Sequence, residues 1–294
     1  MADLARRVLT ALIGIPLFLL ALVGPPSSLM PEGSTWVALV MLMALLGTVE
    51  MLSAVEQKSP DVRVNRLLAL LSVYLPFDAW LSAQQSVPFV PTMRITAVGV
   101  VVVALGWEVW QAERLGKTGV WRNVGFGALM ALYLGVLFST WVSLRLVDAG
   151  CDAGASWRSD GLRLVLLTCI SVWACDTVAY FVGRRFGKRR MSPLLSPHKS
   201  WEGAIAGTLF GTAGAMLASM WLGVSPVSAG VLGISATSMG QVGDLFESAL
   251  KRELGIKDFG GLLPGHGGVM DRFDSLLFAL PVVYVLSHFL PICS

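Results

Sequence analysis

Charged side chains are scarce in this chain, where they occupy 14% of the 294 positions against roughly 25% in a soluble globular protein. The four cysteines show no metal-ligand spacing, and no Walker, HExxH or Ser-His-Asp pattern is present. The net charge of +3 is too small to indicate nucleic-acid binding. These absences exclude a water-soluble enzyme, a disordered chain, an ATP-hydrolysing pump and a disulfide scaffold, and we expect all four thiols to be free.

Apolar sequence dominates instead, with 55% hydrophobic residues and a mean hydropathy of +0.70. A helix that crosses a bilayer needs about 20 mostly apolar residues. We therefore expect an all-α, polytopic transmembrane protein with about nine spans, of which the third is interrupted by Pro76 and Asp78. The predicted spans are residues 8–24, 35–55, 67–83, 95–112, 124–144, 163–183, 203–223, 227–248 and 275–291.

Basic residues are distributed unevenly between the segments that flank these spans. One side of the predicted membrane holds 18 of the 22 lysines and arginines. The other side holds only Arg94, Arg145, Arg158 and Arg163. Because cytoplasmic loops carry the excess of lysine and arginine, the N-terminus is predicted to lie in the cytoplasm and the C-terminus outside.

Polar residues gather in the C-terminal part of the chain. We expect one membrane domain in which residues 1–160 form scaffold helices and residues 161–294 carry a cytoplasm-facing site. Asp176 lies within the sixth span, where it is either a hydrogen-bonded structural residue or a ligand for metal or substrate. Lys199 and Ser200 precede the seventh span, and such residues before a helix can hold an anion.

Small residues follow in the seventh span, where Gly203, Gly207 and Gly211 recur every four positions. Glycines at this spacing are typical of membrane helices whose backbones approach closely. These three glycines therefore predict a helix-packing seam rather than a ligand site.

The most informative polar stripe follows one face of the eighth span. Its amide, carboxylate, hydroxyl and ammonium groups belong to Gln241, Asp244, Ser248 and Lys251. Glycine-rich turns come next, and Asp271 and Asp274 lie at the start of the last span. Carboxylates beside cationic side chains are typical of a Mg²⁺–phosphate site, because Mg²⁺ takes oxygen ligands and keeps positions for substrate phosphates.

Ser248, Lys251, Asp271 and Asp274 belong to one long motif with fixed spacing. It runs Ser248-x-Leu250-Lys251-Arg252, four residues, Lys257-Asp258-x-Gly260, two residues, Leu263-Pro264-x-His266-Gly267-Gly268, two residues, Asp271-Arg272-x-Asp274. The motif resembles the full signature of phosphatidate cytidylyltransferases, also called CDP-diacylglycerol synthases. The segments 176–184 and 196–203 also resemble that family, so the specific likeness covers about the last 120 residues.

The resemblance implies that CTP and phosphatidate react to give CDP-diacylglycerol and pyrophosphate, in phospholipid biosynthesis. It implies dependence on Mg²⁺ and leaves room for a second cation. It also implies a protein of the bacterial inner membrane, embedded in membrane lipids, that forms a homodimer, binds no nucleic acid and has its active site on the cytoplasmic side.

The same resemblance implies a role for individual residues. The implied metal ligands are Asp244, Asp271, Asp274 and Asp176. The implied catalytic residues are Lys251, Arg252, Lys257, Asp258, His266 and Arg272. The implied substrate-binding residues are Arg184, Ser196, Lys199, Ser200, Glu202, Ser248, Gly267 and Gly268. His266 either contacts phosphate or cytosine or forms a hydrogen bond within a turn.

Two other functions stay open on the sequence. A related lipid kinase or a cytidylyltransferase with another lipid acceptor would keep the carboxylates and cations and change the acceptor. A secondary transporter of an anionic solute would place charges near the middle of the membrane and show related halves. Charge concentrated at one face and one end of the chain favours an enzyme, and turnover in detergent without a gradient distinguishes the two classes.

Overall fold

The computed structural model of the protein describes residues 2–24, 30–84, 90–115, 119–151, 159–261 and 267–293. These residues are almost entirely helical. The helices are α1 (Ala2–Val23), α2 (Ser34–Lys58), α3 (Arg66–Gln84), α4 (Val90–Leu115), α5 (Val120–Met130), α6 (Leu137–Arg145), α7 (Asp160–Phe186), α8 (Trp201–Leu222), α9 (Pro226–Glu253) and α10 (Met270–Ser287).

A π-helical segment, Ala131–Val136, joins α5 to α6 and makes one continuous rod of Val120–Arg145. With these joined, the described residues form nine helical rods, and each predicted span falls on one of them. Five of the rods are long and apolar enough to cross a membrane by length and composition: α2, α3, Val120–Arg145, α7 and α8. The prediction of an all-α polytopic membrane fold is confirmed.

Helix ends follow from local backbone chemistry. Gly223 ends α8 in the left-handed region, with φ of 66°, and its N–H bonds to the carbonyl of Ser219. A residue with a Cβ rarely takes that conformation, so glycine is favoured there. Pro226 then begins α9, since proline fits the first turn of a helix, where a missing N–H costs nothing.

The first of two compact units consists of Met1–Val142 and Leu254–Asp271. Its core includes the fully buried Trp36, whose indole stacks on that of Trp141 and donates a 3.1 Å hydrogen bond to the Trp141 carbonyl. A smaller apolar cluster joins α3 to its neighbours. That cluster comprises Leu68, Leu71, Ala104 and Ala131.

The second unit consists of Ser143–Glu253 and Arg272–Ser294, and its centre is the packing of α8 against α7 and α9. A Cβ added at Gly203 would lie 2.7 Å from the Ala179 carbonyl oxygen. One at Gly207 would lie 2.7 Å from the Cys175 carbonyl oxygen, and one at Gly211 would lie 2.5 Å from that of Ser171. The predicted glycine seam is therefore confirmed, since the three positions admit only glycine at this helix separation.

Two features depart from the sequence-based expectation. Cys151 and Cys293 form a disulfide, so the expectation of four free thiols is wrong for this pair; Cys169 and Cys175 are free and buried. The pairing left no spacing signal because its partners are 142 residues apart. The basic segment after α7 also forms a short antiparallel hairpin of β1 (Arg190–Ser192) and β2 (Ser196–Ser200).

Candidate active site

Three carboxylates of the second unit converge from three helices. They are Asp176 on α7, Asp244 on α9 and Asp274 on α10, and each lies within electrostatic range of the other two. Lys199, on the adjoining strand β2, forms an ion pair with Asp244. The structure thus brings together three of the four predicted metal ligands and one predicted substrate-binding cation.

Close backbone contacts place these helices. Gly243 lies directly against α10, because a Cβ there would be 2.5 Å from the carbonyl oxygen of Asp274. Gln241 ties α9 to α8 through its Nε2, which donates to Thr208 Oγ1 at 2.8 Å and to the Ala204 carbonyl at 3.2 Å. Asp244 and Asp274 are therefore held near each other by rigid helices rather than by loops.

A buried ion pair lies one turn further along α9. Lys251 Nζ donates to Glu247 Oε1 at 2.8 Å, and Glu247 is fully buried. Ser248 beside it is buried as well, whereas Arg252 and Arg272 are exposed. A buried carboxylate needs a partner of opposite charge, so Lys251 has a structural partner in addition to its predicted phosphate-binding role.

The segment between α7 and α8 is organised by its own side chains. Ser200 caps α8 by accepting the Gly203 N–H at 3.2 Å, and Glu202 accepts the N–H groups of Lys188 and Arg189 at 3.1 and 3.2 Å. Arg184 donates to the Tyr180 hydroxyl at 3.0 Å. Through these contacts, Ser200 and Glu202 order the backbone on either side of Lys199.

The middle of the signature lies in the first unit. Asp271 Oδ2 accepts the N–H of Phe259 at 3.1 Å and that of Gly268 at 2.8 Å. Gly267 takes a left-handed φ of 83°, which lets the chain pass close to the same carboxylate. Lys257 and Asp258 are exposed, and His266 lies outside the described residues.

Two acidic residues outside the sequence-predicted site lie beside signature elements in the structure. Glu247 pairs with Lys251, and Glu50 on α2 accepts the N–H groups of Val269 and Met270. An ionisable residue within an apolar helix generally indicates that a polar partner lies nearby. That signal was present at Glu50, but it does not say which partner such a residue has.

The donor set of the second unit suits Mg²⁺. Among the residues that the structure describes, no group of three Asp, Glu, His or Cys side chains is arranged to enclose a metal by itself. Mg²⁺ is usually bound through one or two carboxylates, with waters and substrate phosphates as the remaining ligands. Asp244 and Asp274 fit that pattern, because they lie near a third carboxylate, that of Asp176, and Lys199 pairs with Asp244 alone among the three.

Comparisons with known proteins agree with this chemistry. Residues 5–290 match the cytidylyltransferase family. A phosphatidate cytidylyltransferase of Bacillus subtilis (strain 168) is 30% identical over 289 residues, which cover 97% of this chain and 98% of the relative. One of Staphylococcus haemolyticus (strain JCSC1435) is 31% identical, with 95% of this chain and 97% of the relative covered. The chain therefore belongs to the cytidylyltransferase family.

Proposed function

We propose that this membrane protein transfers the cytidylyl group of CTP to phosphatidate, which gives CDP-diacylglycerol and pyrophosphate in phospholipid biosynthesis. The observation that carries the proposal is the family match over residues 5–290, together with relatives of this name that align over nearly their whole length. The cluster of carboxylates and cations in the second unit supports the same chemistry.

The reaction needs no nucleophile from the protein. A phosphate oxygen of phosphatidate attacks the α-phosphorus of CTP and forms a new P–O bond. The bond from that phosphorus to the oxygen bridging to the β-phosphorus breaks, and pyrophosphate leaves with its electron pair. Two polyanions must approach each other, so the contribution of the protein is to orient them and to neutralise charge.

The residues of the second unit are suited to that task. Asp244 and Asp274, with Asp176 beside them, would hold Mg²⁺, which stabilises negative charge on the transferring phosphates when it is bound. Lys199 is positioned to exchange its ion pair with Asp244 for a phosphate oxygen. Lys251 and Arg252 follow on the same helix and would contact the triphosphate or the lipid phosphate.

The remaining signature residues keep their implied roles as part of the proposal. Asp271 is proposed as a further metal ligand. Lys257, Asp258, His266 and Arg272 are proposed to contact substrate phosphates or cytosine. Arg184, Ser196, Ser200, Glu202, Ser248, Gly267 and Gly268 are proposed to line the substrate site.

The cellular setting is part of the same proposal. The predicted topology puts the site on the cytoplasmic side of a bacterial inner membrane, where CTP is available. The acyl chains would stay in the surrounding membrane lipids. A homodimer is the expected assembly, and light scattering of the detergent-solubilised protein would measure it.

The first experiment is conversion of radiolabelled phosphatidate by the purified protein in detergent. We expect CDP-diacylglycerol with CTP and Mg²⁺, and none with ATP or with the metal chelated. Turnover in micelles would exclude a gradient-driven transporter, since no gradient exists there. Product from CTP with another lipid phosphate but not with phosphatidate would contradict the proposed acceptor, and no product with any nucleotide would contradict the reaction.

A further inference from the structure

Glu50 is a carboxylate in the middle of an apolar helix, eight residues before the end of α2. Eight residues correspond to about 12 Å along a helix axis. The side chain is 8% exposed, although a charged group in such a place is costly unless it is paired.

Both oxygens of Glu50 bind backbone N–H groups at the start of α10. Oε1 accepts the N–H of Val269 at 3.0 Å, and Oε2 accepts that of Met270 at 3.1 Å. The first N–H groups of a helix have no partner within it and carry partial positive charge, so a carboxylate is well placed there.

Two signature glycines close around the same carboxylate. A Cβ at Gly260 would lie 2.6 Å from Oε1, and one at Gly268 would lie 2.5 Å from Oε2. Real Cβ atoms do not approach an oxygen so closely, so a side chain at either position would displace the Glu50 carboxylate from its place against Val269 and Met270. Gly260 and Gly268 thus make room within this unit for a carboxylate from α2.

Asp271 is a second carboxylate that binds the same two stretches of backbone as Glu50. Residues 257–261 form the first loop arm and residues 267–269 the second. Asp271 Oδ2 accepts N–H groups from Phe259 on the first arm and from Gly268 on the second. Glu50 contacts Gly260 on the first arm and binds Val269 on the second. Two carboxylates therefore hold the two arms together.

We infer that Glu50 is a positioning residue for the proposed cytidylyl transfer: it sets the two loop arms, and through them the signature residues that they carry. Glu50 does not itself contact the reacting groups in this scheme. The inference about catalysis rests on the proposed function, whereas the inference about the loop arms does not.

The test compares Glu50→Gln with wild type by hydrogen–deuterium exchange and by kinetics. Glutamine has nearly the same shape but offers one acceptor oxygen, and its NH₂ group would face a backbone donor. We expect exchange in residues 267–271 to accelerate about tenfold or more, as loss of a hydrogen bond to a charged group predicts. We expect kcat to fall by about the same factor, with the melting temperature near that of the control.

The matched control is Glu108→Gln. Glu108 is a buried carboxylate of α4 in the same unit, and it accepts hydrogen bonds from the Asn65 and Asn123 amides. This variant also removes a buried charge, but it does not touch the loop arms. It should leave both the exchange of residues 267–271 and kcat unchanged.

A second variant changes Gly260, a glycine that contacts the Glu50 carboxylate. Gly260→Ala keeps Glu50 but pushes its carboxylate away, so exchange and kcat should change in the same direction as in Glu50→Gln. In a Glu50→Ala background the added methyl group has room, so the same substitution should cost much less. Such non-additivity is expected of residues in direct contact.

The outcomes separate the two levels of the inference. Wild-type exchange and kcat in Glu50→Gln would overturn it, and so would an equal loss of kcat in Glu108→Gln. Faster exchange in Glu50→Gln with an inactive wild-type protein would refute the proposed function and leave the role of Glu50 in the loop arms standing. An active wild-type protein, together with wild-type exchange and kcat in Glu50→Gln, would support the proposed function and refute the role of Glu50 in the loop arms.

Discussion

Asp244 and Asp271 carry the same functional group and are both proposed metal ligands, but their surroundings differ. Asp244 faces an ammonium group, that of Lys199. Asp271 instead accepts two backbone N–H groups from the loop arms. Loss of charge at Asp271 would disturb the backbone as well as any metal, so Asp244 gives the cleaner test of a role in binding metal or phosphate.

Asp244→Asn should lower the rate of CDP-diacylglycerol formation on the order of a hundredfold, which is typical when a group that supports a metal or a developing charge is removed. The asparagine fits the same space, so the melting temperature in detergent should change little. The measurement is the initial rate at several Mg²⁺ concentrations, and part of the loss should be recovered at high Mg²⁺.

The control for this prediction is Asp61→Asn, which removes an exposed carboxylate between α2 and α3. It should retain the wild-type rate and Mg²⁺ dependence. An Asp244→Asn variant with the same Mg²⁺ dependence and rate as Asp61→Asn would contradict the proposed metal role.

At the scale of elements, the glycine seam of α8 decides how closely the helices of the second unit approach. Gly211 lies between α7 and α9, because an added Cβ would be 2.5 Å from the Ser171 carbonyl oxygen and 2.6 Å from Thr237 Cγ2. Gly214, on the same helix, faces a looser contact, at 3.6 Å from the Cβ of Ala174. The two positions therefore have the same residue type on the same helix and differ only in how closely a neighbouring helix approaches.

Gly211→Ala should lower the free energy of unfolding by about 1–3 kcal/mol, because the inserted methyl group forces helices apart. Gly214→Ala should be neutral or slightly stabilising, since alanine favours the helix and fits the space. Melting temperatures of the two purified variants measure the difference. Equal melting temperatures would contradict the close packing of α8 against α7 and α9 at Gly211.

For the whole molecule, the disulfide gives a test of the predicted membrane topology. Cys151 and Cys293 both lie on the side that the distribution of lysine and arginine predicts to be outside the cytoplasm. Disulfides persist in oxidising compartments and are rare in the cytosol. The Ser225 N–H also bonds to the Ile292 carbonyl at 2.9 Å, which fixes the end of the chain in the second unit.

A membrane-impermeant maleimide should therefore label the protein in intact bacterial spheroplasts only after reduction of the disulfide. Cys293→Ser should leave Cys151 open to labelling without reduction. Cys169 and Cys175 should stay unlabelled in both proteins, since they are buried. Labelling that requires permeabilised membranes would contradict the topology, and labelling of the wild type without reduction would contradict the disulfide.

Local sequence is enough to predict the class of fold, the approximate helix positions and the family signature. Helices across a bilayer must satisfy their own backbone hydrogen bonds, so long apolar stretches admit almost no other structure. The stripe of Asp244, Ser248 and Lys251 follows from helix periodicity in the same way. These features depend on neighbours within a few residues, which is why the sequence carries them directly.

Contacts between residues far apart in the chain depend on tertiary packing. Glu50 reaches Met270 across 220 positions, and Cys151 reaches Cys293 across 142. Neither spacing leaves a periodic pattern. Asp176, Asp244 and Asp274 were each visible as charges in apolar sequence, but only helix packing through positions such as Gly243 sets them side by side. A local pattern such as the glycine seam of α8 indicates that helices approach closely, but it does not specify which side chains of distant segments then meet.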